Sequence, residues 1–154
     1  MGQLLVCELH ARIAKDLVPE WAGRWRTVEV RVGDHQPPRP YEVPLRMADF
    51  TADLQGRLSN LPGGLDSLLL ETLAFAEGRL LSIHPFLDFN GRVTRLILKE
   101  LLHRLGLPPV PIVPATPEEE TSYLAALRSG DSGNLLPLQE IWKHRFEQGF
   151  GRSA

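Results

Sequence analysis

A chain of 154 residues, 43% of them hydrophobic, is long enough for one domain with a core of its own. The formal net charge of −2, with three lysines scattered among 17 basic residues, excludes a nucleic-acid binder of the usual basic-faced kind. The lone cysteine, Cys7, excludes an internal disulfide and fits a reducing cytoplasm. No apolar run reaches membrane-spanning length, and no basic leader precedes a cleavable apolar stretch. Met1-Gly2 suggests an acyl acceptor, but Val6 stands where that motif needs Ser or Thr.

Leu4 to Leu17 reads as a helix, with Leu5, Leu9, Ile13 and Leu17 on one face, and Pro19 ends it. Trp21 and Trp25 read as packing residues. Thr27 to Val32 alternates polar and apolar, as a half-buried strand does. Gly33-Asp34-His35 reads as a turn that leaves His35 exposed. Gln36 to Pro40 lacks the donors of a regular strand, and Tyr41 to Val43 can return as a short one. Residues 27–44 are therefore expected to form a hairpin with a Pro-rich tip.

Pro44 to Leu58 reads as a helix, and Asn60 to Gly64 as a break. Asp66 to Ile83 is a long, mainly apolar helix that delivers His84 at its end. Gly78 inside it costs about 1 kcal/mol relative to Ala, which implies close packing. Val93 to Leu105 is a second central helix, with Val93, Leu96, Ile97, Leu101 and Leu105 inward and Lys99 and His103 solvated. Gly106 and Pro108 stop it. Thr116-Pro117-Glu118-Glu119 starts another helix, which ends near Gly130. Leu135 to Phe146 forms the last helix, and the tail after Gly149 is expected to fray. The fold expected is mainly α: about six helices around a central helix–loop–helix, with one β-hairpin, in a single domain.

The chemistry concentrates in His84-Pro85-Phe86-Leu87-Asp88-Phe89-Asn90-Gly91-Arg92-Val93-Thr94-Arg95. Asn90 reads as the N-cap of the second central helix. The first N–H groups of a helix lack internal partners and carry partial positive charge, so they suit phosphate. Arg92 and Arg95 share one face of the first turns, where they oppose the dipole unless an anion lies between them and the N–H groups. Asp88 beside that anion calls for a bridging cation, as in the usual Mg²⁺ arrangement. His84 titrates near neutrality. Local chemistry alone thus points to a polyphosphate and Mg²⁺ beside a general base.

This stretch resembles the Fic family signature H-x-F-x-[DE]-G-N-G-R-x-x-R, matched by His84, Phe86, Asp88, Asn90, Gly91, Arg92 and Arg95. Phe89 departs from it, standing where the family usually has its first glycine. Ala22-Gly23-Arg24-Trp25-Arg26 is similar to the family's aG-x-[FYW]-R segment. Gln36, Pro37 and Pro38 are similar to the tip of its flap, and Tyr123 to Leu127 and the final helix to its closing elements.

The resemblance implies a protein adenylyltransferase of the Fic/Doc superfamily. AMP would pass from ATP–Mg²⁺ to a Ser, Thr or Tyr hydroxyl of a target protein. His84 would be the base and Asp88 the metal ligand. Phe89, Asn90 and Gly91 would supply the α-phosphate cradle, with Arg92 and Arg95 on the outer phosphates. Gln36, Pro37 and Pro38 would hold the target segment, with Phe86 an anchor. Phe89 leaves two alternatives open: transfer of another phosphorus group (a Doc-like kinase or phosphocholine transfer), or a non-catalytic nucleotide- or peptide-binding module. The family's inhibitory motif [ST]-x-x-x-E-[GN] has no match: Glu77-Gly78 has Leu73 at the hydroxyl position, and Glu147-Gln148 has Lys143. Inhibition would then come from a small antitoxin-like partner in trans, which is preferred, from a segment absent here, or not at all. A bacterial cytoplasm is expected, with delivery into another cell left open, and charge and hydropathy point to no direct nucleic-acid or membrane partner.

Overall fold

The computed structural model describes residues 1–151. Six α-helices follow in order: α1 (Gln3–Ala14), α2 (Val43–Ser59), α3 (Ser67–Ile83), α4 (Asn90–Arg104), α5 (Pro117–Asp131) and α6 (Leu136–Gly151). A short 3₁₀ turn, Pro40–Glu42, precedes α2. The last helix runs past the expected stop, and the final residues of the tail lie outside the described part.

α3 is the hub: it packs against α2, α4, α5 and α6. Its residues from Thr72 to Gly78 are buried without interruption, so it has no solvent face along that stretch. A Cβ on Gly78 would lie 3.2 Å from Leu138 Cδ2 and 3.4 Å from Leu135 Cδ2, which is why α6 can approach α3 there. Asp66 caps α3 by accepting from the Leu69 N–H at 2.9 Å. Thr116 caps α5 in the same way, and Glu119 returns the bond to the Ala115 N–H at 2.8 Å.

The apolar helix α3 hides one charge. Glu77 accepts from Arg145 of α6 at 2.7 and 3.2 Å and from the Tyr123 hydroxyl of α5 at 2.6 Å. Arg145 also donates to the Ile112 carbonyl at 2.8 Å. Burial and the Glu77 charge push the Tyr123 hydroxyl far above its ordinary pKa, so it is a permanent donor. The cluster satisfies its own groups and pins the two C-terminal helices to the hub.

Two helix faces differ from the sequence reading. The inner stripe of α1 is Val6, His10 and Ala14, with Leu9 and Ile13 beside it, while Leu17 lies beyond the helix and is 65% exposed. In α4 the inner face includes Thr94, Leu98 and Leu102 with Val93, Ile97 and Leu101, and Leu96 turns outward. Both stripes are rotated by about one residue, because neighbours on two sides widen the buried arc.

The expected hairpin is a reversal without a ladder. Among the described residues there is no β-strand, only one bridge between Val32 and His35, with N–H···O distances of 3.0 and 2.9 Å. Pro37, Pro38 and Pro40 carry no N–H, so paired strands cannot form. Side chains join the arms instead: Gln36 Nε2 donates to the Val30 carbonyl at 3.3 Å, and Arg26 reaches Val28 and Pro38. Tyr41 enters the 3₁₀ turn and Val43 begins α2, so no return strand forms. His35 is half-buried rather than exposed. Its Nε2 lies 2.8 Å from the Ser82 carbonyl and its Nδ1 3.4 Å from Asp131.

Candidate active site at the α3–α4 loop

The loop between the two central helices is held by main-chain geometry and three braces. His84 ends α3 in the left-handed region (φ 50, ψ 61), which turns the chain sharply out of the helix. Phe86 is fully buried and stacks on the His10 ring at 3.8 Å and 6°. Asn90 clasps Phe86, accepting from its N–H and donating to its carbonyl, both at 2.9 Å. Asn90 is therefore not the N-cap. It is the first residue of α4, its amide is spent within the loop, and Phe89 occupies the cap position.

His10 is the second brace. The Gly23 N–H donates to its Nδ1 at 2.9 Å, so that nitrogen is an acceptor and the proton sits on Nε2. Nε2 then donates to the Asp88 carbonyl at 3.1 Å. Burial lowers the pKa of His10, in keeping with this neutral tautomer. One imidazole thus ties α1, the Gly23 turn and the loop together.

Arg26 is the third brace. Its main-chain N–H donates to the Pro85 carbonyl at 2.9 Å, and its guanidinium reaches the His84 and Ile83 carbonyls at 2.7 and 3.2 Å.

Around these braces lies a cavity of about 360 Å³ lined by His84, Asp88, Phe89, Asn90, Gly91, Arg92 and Arg95. Seven sequence-derived candidates therefore meet in one place. Gln36, Pro37 and Pro38 do not line it; of the three, Pro38 connects to His84 through Arg26, and Gln36 bonds the Val30 carbonyl. Phe89 adopts φ 66 and ψ 15, the conformation a glycine takes without penalty. Its ring stacks on Trp21 at 6.2 Å and lies 6.2 Å from His10, and the Arg92 guanidinium sits 5.4 Å above it. A larger residue is thereby accommodated with the left-handed backbone kept. Its N–H is used by Asp88 Oδ1 at 2.7 Å, which leaves the N–H groups of α4's first turn as the free donors.

His84 has a pKa below the ordinary imidazole value. Burial is the largest cause, followed by the charges of Arg26 and His35, with the Leu81 backbone and Asp88 opposing. A neutral imidazole facing this cavity can accept a proton near neutral pH. Asp88 is exposed on the rim, and only one of its oxygens is engaged. Among the described residues no three His, Cys, Asp or Glu side chains converge to hold a metal ion by themselves. A single hard carboxylate beside free N–H donors fits a Mg²⁺ whose remaining ligands are phosphate oxygens and water.

The sequence reading did not find His10, although Gly23 beside it was noted. Its signal was a histidine in the Val6–Ala14 stripe, which the choice of a neighbouring stripe concealed.

Six helices around a central helix–loop–helix, with a histidine at one end of the loop and two arginines at the other, define a helical domain of the Fic fold. The chain belongs to the Fic/DOC family, whose model matches residues 3–102. It is 35% identical over 133 residues to a protein adenylyltransferase Fic of Drosophila grimshawi, covering 86% of this chain and 26% of that protein. The counterpart from Drosophila persimilis is 34% identical over 133 residues, covering 86% and 25%. The chain thus spans about a quarter of the length of these relatives. The structure of Fic-1 from C. elegans superposes with a TM-score of 0.79 at 28% identity, covering 99% of this chain and 42% of that one. A Fic-domain signalling protein from Bacteroides thetaiotaomicron shares the fold, with a TM-score of 0.77 at 22% identity over 97% of this chain and 60% of its own. Among the described residues no helix is long and apolar enough to cross a membrane.

Proposed function

We propose that this chain is a single Fic domain, residues 1–154, that transfers AMP from ATP to a Ser, Thr or Tyr hydroxyl of a target protein. One observation carries the reading: His84, Asp88, the N-terminus of α4, Arg92 and Arg95 line one cavity. The 34–35% identity to proteins named adenylyltransferases supports the choice of AMP.

In this reading His84 takes the proton of the target hydroxyl, whose oxygen bonds to the α-phosphorus. The bond from that phosphorus to the bridging oxygen breaks, and pyrophosphate leaves. The N–H groups of Asn90, Gly91 and Arg92 face the α-phosphate. Arg92 and Arg95 receive the charge that develops on the leaving group, where fixed charges act most strongly. Asp88 would hold Mg²⁺, which when bound neutralises phosphate charge. Residues 36–38 hold the target segment by its main chain. The left-handed backbone at Phe89 supports an intact loop over a binding-only module.

Control by a small inhibitor in trans belongs to the same reading. Glu77 is committed to Arg145, and Glu147 lies 3.8 Å from His144 on an exposed face. We place the protein in a reducing cytoplasm, supported by its one free cysteine.

The test uses ATP labelled at the α or the γ phosphorus, Mg²⁺ and lysate proteins. Transfer of α label alone, abolished by His84→Ala, is expected. Transfer of γ label alone would replace this reading with a kinase. Tight nucleotide binding with neither label transferred would replace it with a binding module.

A further inference from the structure

Arg26 is 4% exposed and makes no ion pair among the described residues. Its guanidinium is held by four main-chain carbonyls. Nε donates to His84 at 2.7 Å, and Nη2 to Pro38 at 2.6 Å and Ile83 at 3.2 Å. Nη1 donates to Val28 at 3.0 Å. Burial lowers its pKa, and the charge of Glu29 works against that shift.

A buried cation without a counter-ion is costly, and a hydrophobic side chain would fill the space at less expense. What the guanidinium adds is its fork. One side takes the terminal carbonyls of α3, which lack helical partners and carry the negative end of the dipole. The other side takes one carbonyl from each arm of the segment 27–39. Only a rigid planar group with several donors can span four acceptors in this way.

We propose that Arg26 is a positioning residue for the group transfer, a clamp that fixes the segment 27–39 against the end of α3 and so sets the target segment against the His84 imidazole. The proposal rests on reading His84 as the base and the segment as the target holder. The charged groups facing His84 are Arg26 from the segment after α1, His35 from the turn and Asp88 from the loop. Behind His35 stands Asp131 of α5 at 3.4 Å, and Arg128 of α5 faces Asp34 at 3.7 Å. Arg26 is the strongest of these charges in lowering the pKa of His84, so the clamp also keeps the base unprotonated.

The experiment compares wild type, Arg26→Lys and Arg26→Met in three ways. NMR follows the titration of the His84 ring, assigned by its loss in His84→Gln. Hydrogen exchange follows the amides between residues 28 and 36. Transfer of α label to lysate proteins is followed against pH at saturating ATP. In Arg26→Met the His84 titration moves to higher pH, the acid limb of the rate follows it, and flap exchange speeds up at least tenfold. In Arg26→Lys the titration stays near wild type, yet exchange still speeds up, because a point charge cannot span four carbonyls. That dissociation separates a clamp from a purely structural cation. Unchanged exchange in both variants, or an unmoved His84 titration in Arg26→Met, overturns the proposal. If Arg26→Met does not fold, exchange in Arg26→Lys decides alone. If the wild type transfers nothing, the adenylyltransferase reading fails, while titration and exchange still decide the clamp.

Discussion

Asn90 grips both main-chain polar groups of Phe86, accepting from its N–H and donating to its carbonyl at 2.9 Å each. The loop is thereby folded on itself before any ligand arrives. Asn90→Ala leaves both buried groups unpaired and is expected to cost about 1–3 kcal/mol in denaturant unfolding. Transfer activity should fall more than a hundredfold, since a displacement of about 1 Å is enough for that loss. Asn90→Asp should fare no better, because a carboxylate cannot donate to the Phe86 carbonyl.

His10→Phe keeps a flat ring on Phe86 but removes a donor from Asp88 and an acceptor from Gly23. A loss of about 1–3 kcal/mol is expected in thermal melts. Activity at fixed temperature should fall as well, because the Asp88 backbone is released. A stability equal to wild type would show that the stacking alone matters.

The pKa values of His10 and His84 are both lowered by burial. The unfolded chain therefore binds more protons than the folded one between the depressed values and the ordinary imidazole value of 6.5. Stability should be full above that value and fall as the pH drops through the window below it. Urea titrations from pH 8 to pH 4 should show this fall, and His84→Ala should flatten it. The acid limb of the transfer rate should lie below the titration of a free imidazole.

Phe89 tests strain against packing. Phe89→Ala keeps the left-handed backbone and discards the ring's contacts with Trp21 and His10. Phe89→Gly discards the same contacts and removes the strain. The glycine variant should be the more stable of the two by about 1 kcal/mol. It should also keep its transfer activity, whereas a tenfold loss would make the ring part of the nucleotide site.

Glu77 distinguishes a structural glutamate from an inhibitory one. Glu77→Gln leaves the Arg145 charge buried without its partner, at an expected cost of about 3–5 kcal/mol. Activity of the folded fraction should not rise. A rise of tenfold or more would mean that Glu77 reaches the phosphate site.

The helices and the loop residues were legible because each carries a local signal. Apolar runs mark α2, α3 and α4, Thr116 marks the cap of α5, and His84 to Arg95 states its chemistry in one short run. What sequence could not show depends on contacts between distant segments. Arg26 meets His84 across 58 positions, His10 meets Asp88 across 78, and Glu77 meets Arg145 across 68. The strand reading failed for a nearer reason: alternation at 27–32 describes which side chains are wet, while the prolines after it decide that no partner strand can form. Asn90 was misplaced by one residue because a capping amide and a loop-clasping amide look alike in sequence.

The reversal at 27–39 carries no register. Its arms are held through the carbonyls of Val28 and Pro38, atoms that every amino acid possesses, while its turn is held by side chains, His35 at Ser82 and Asp131 and Asp34 at Arg128. Exposed positions away from that turn, such as Glu29 and Arg31, can change in sequence without disturbing a hydrogen-bond ladder. In the proposed reading, those positions are where the fit to a target protein can diversify while His84, the loop and the arginines stay where they are.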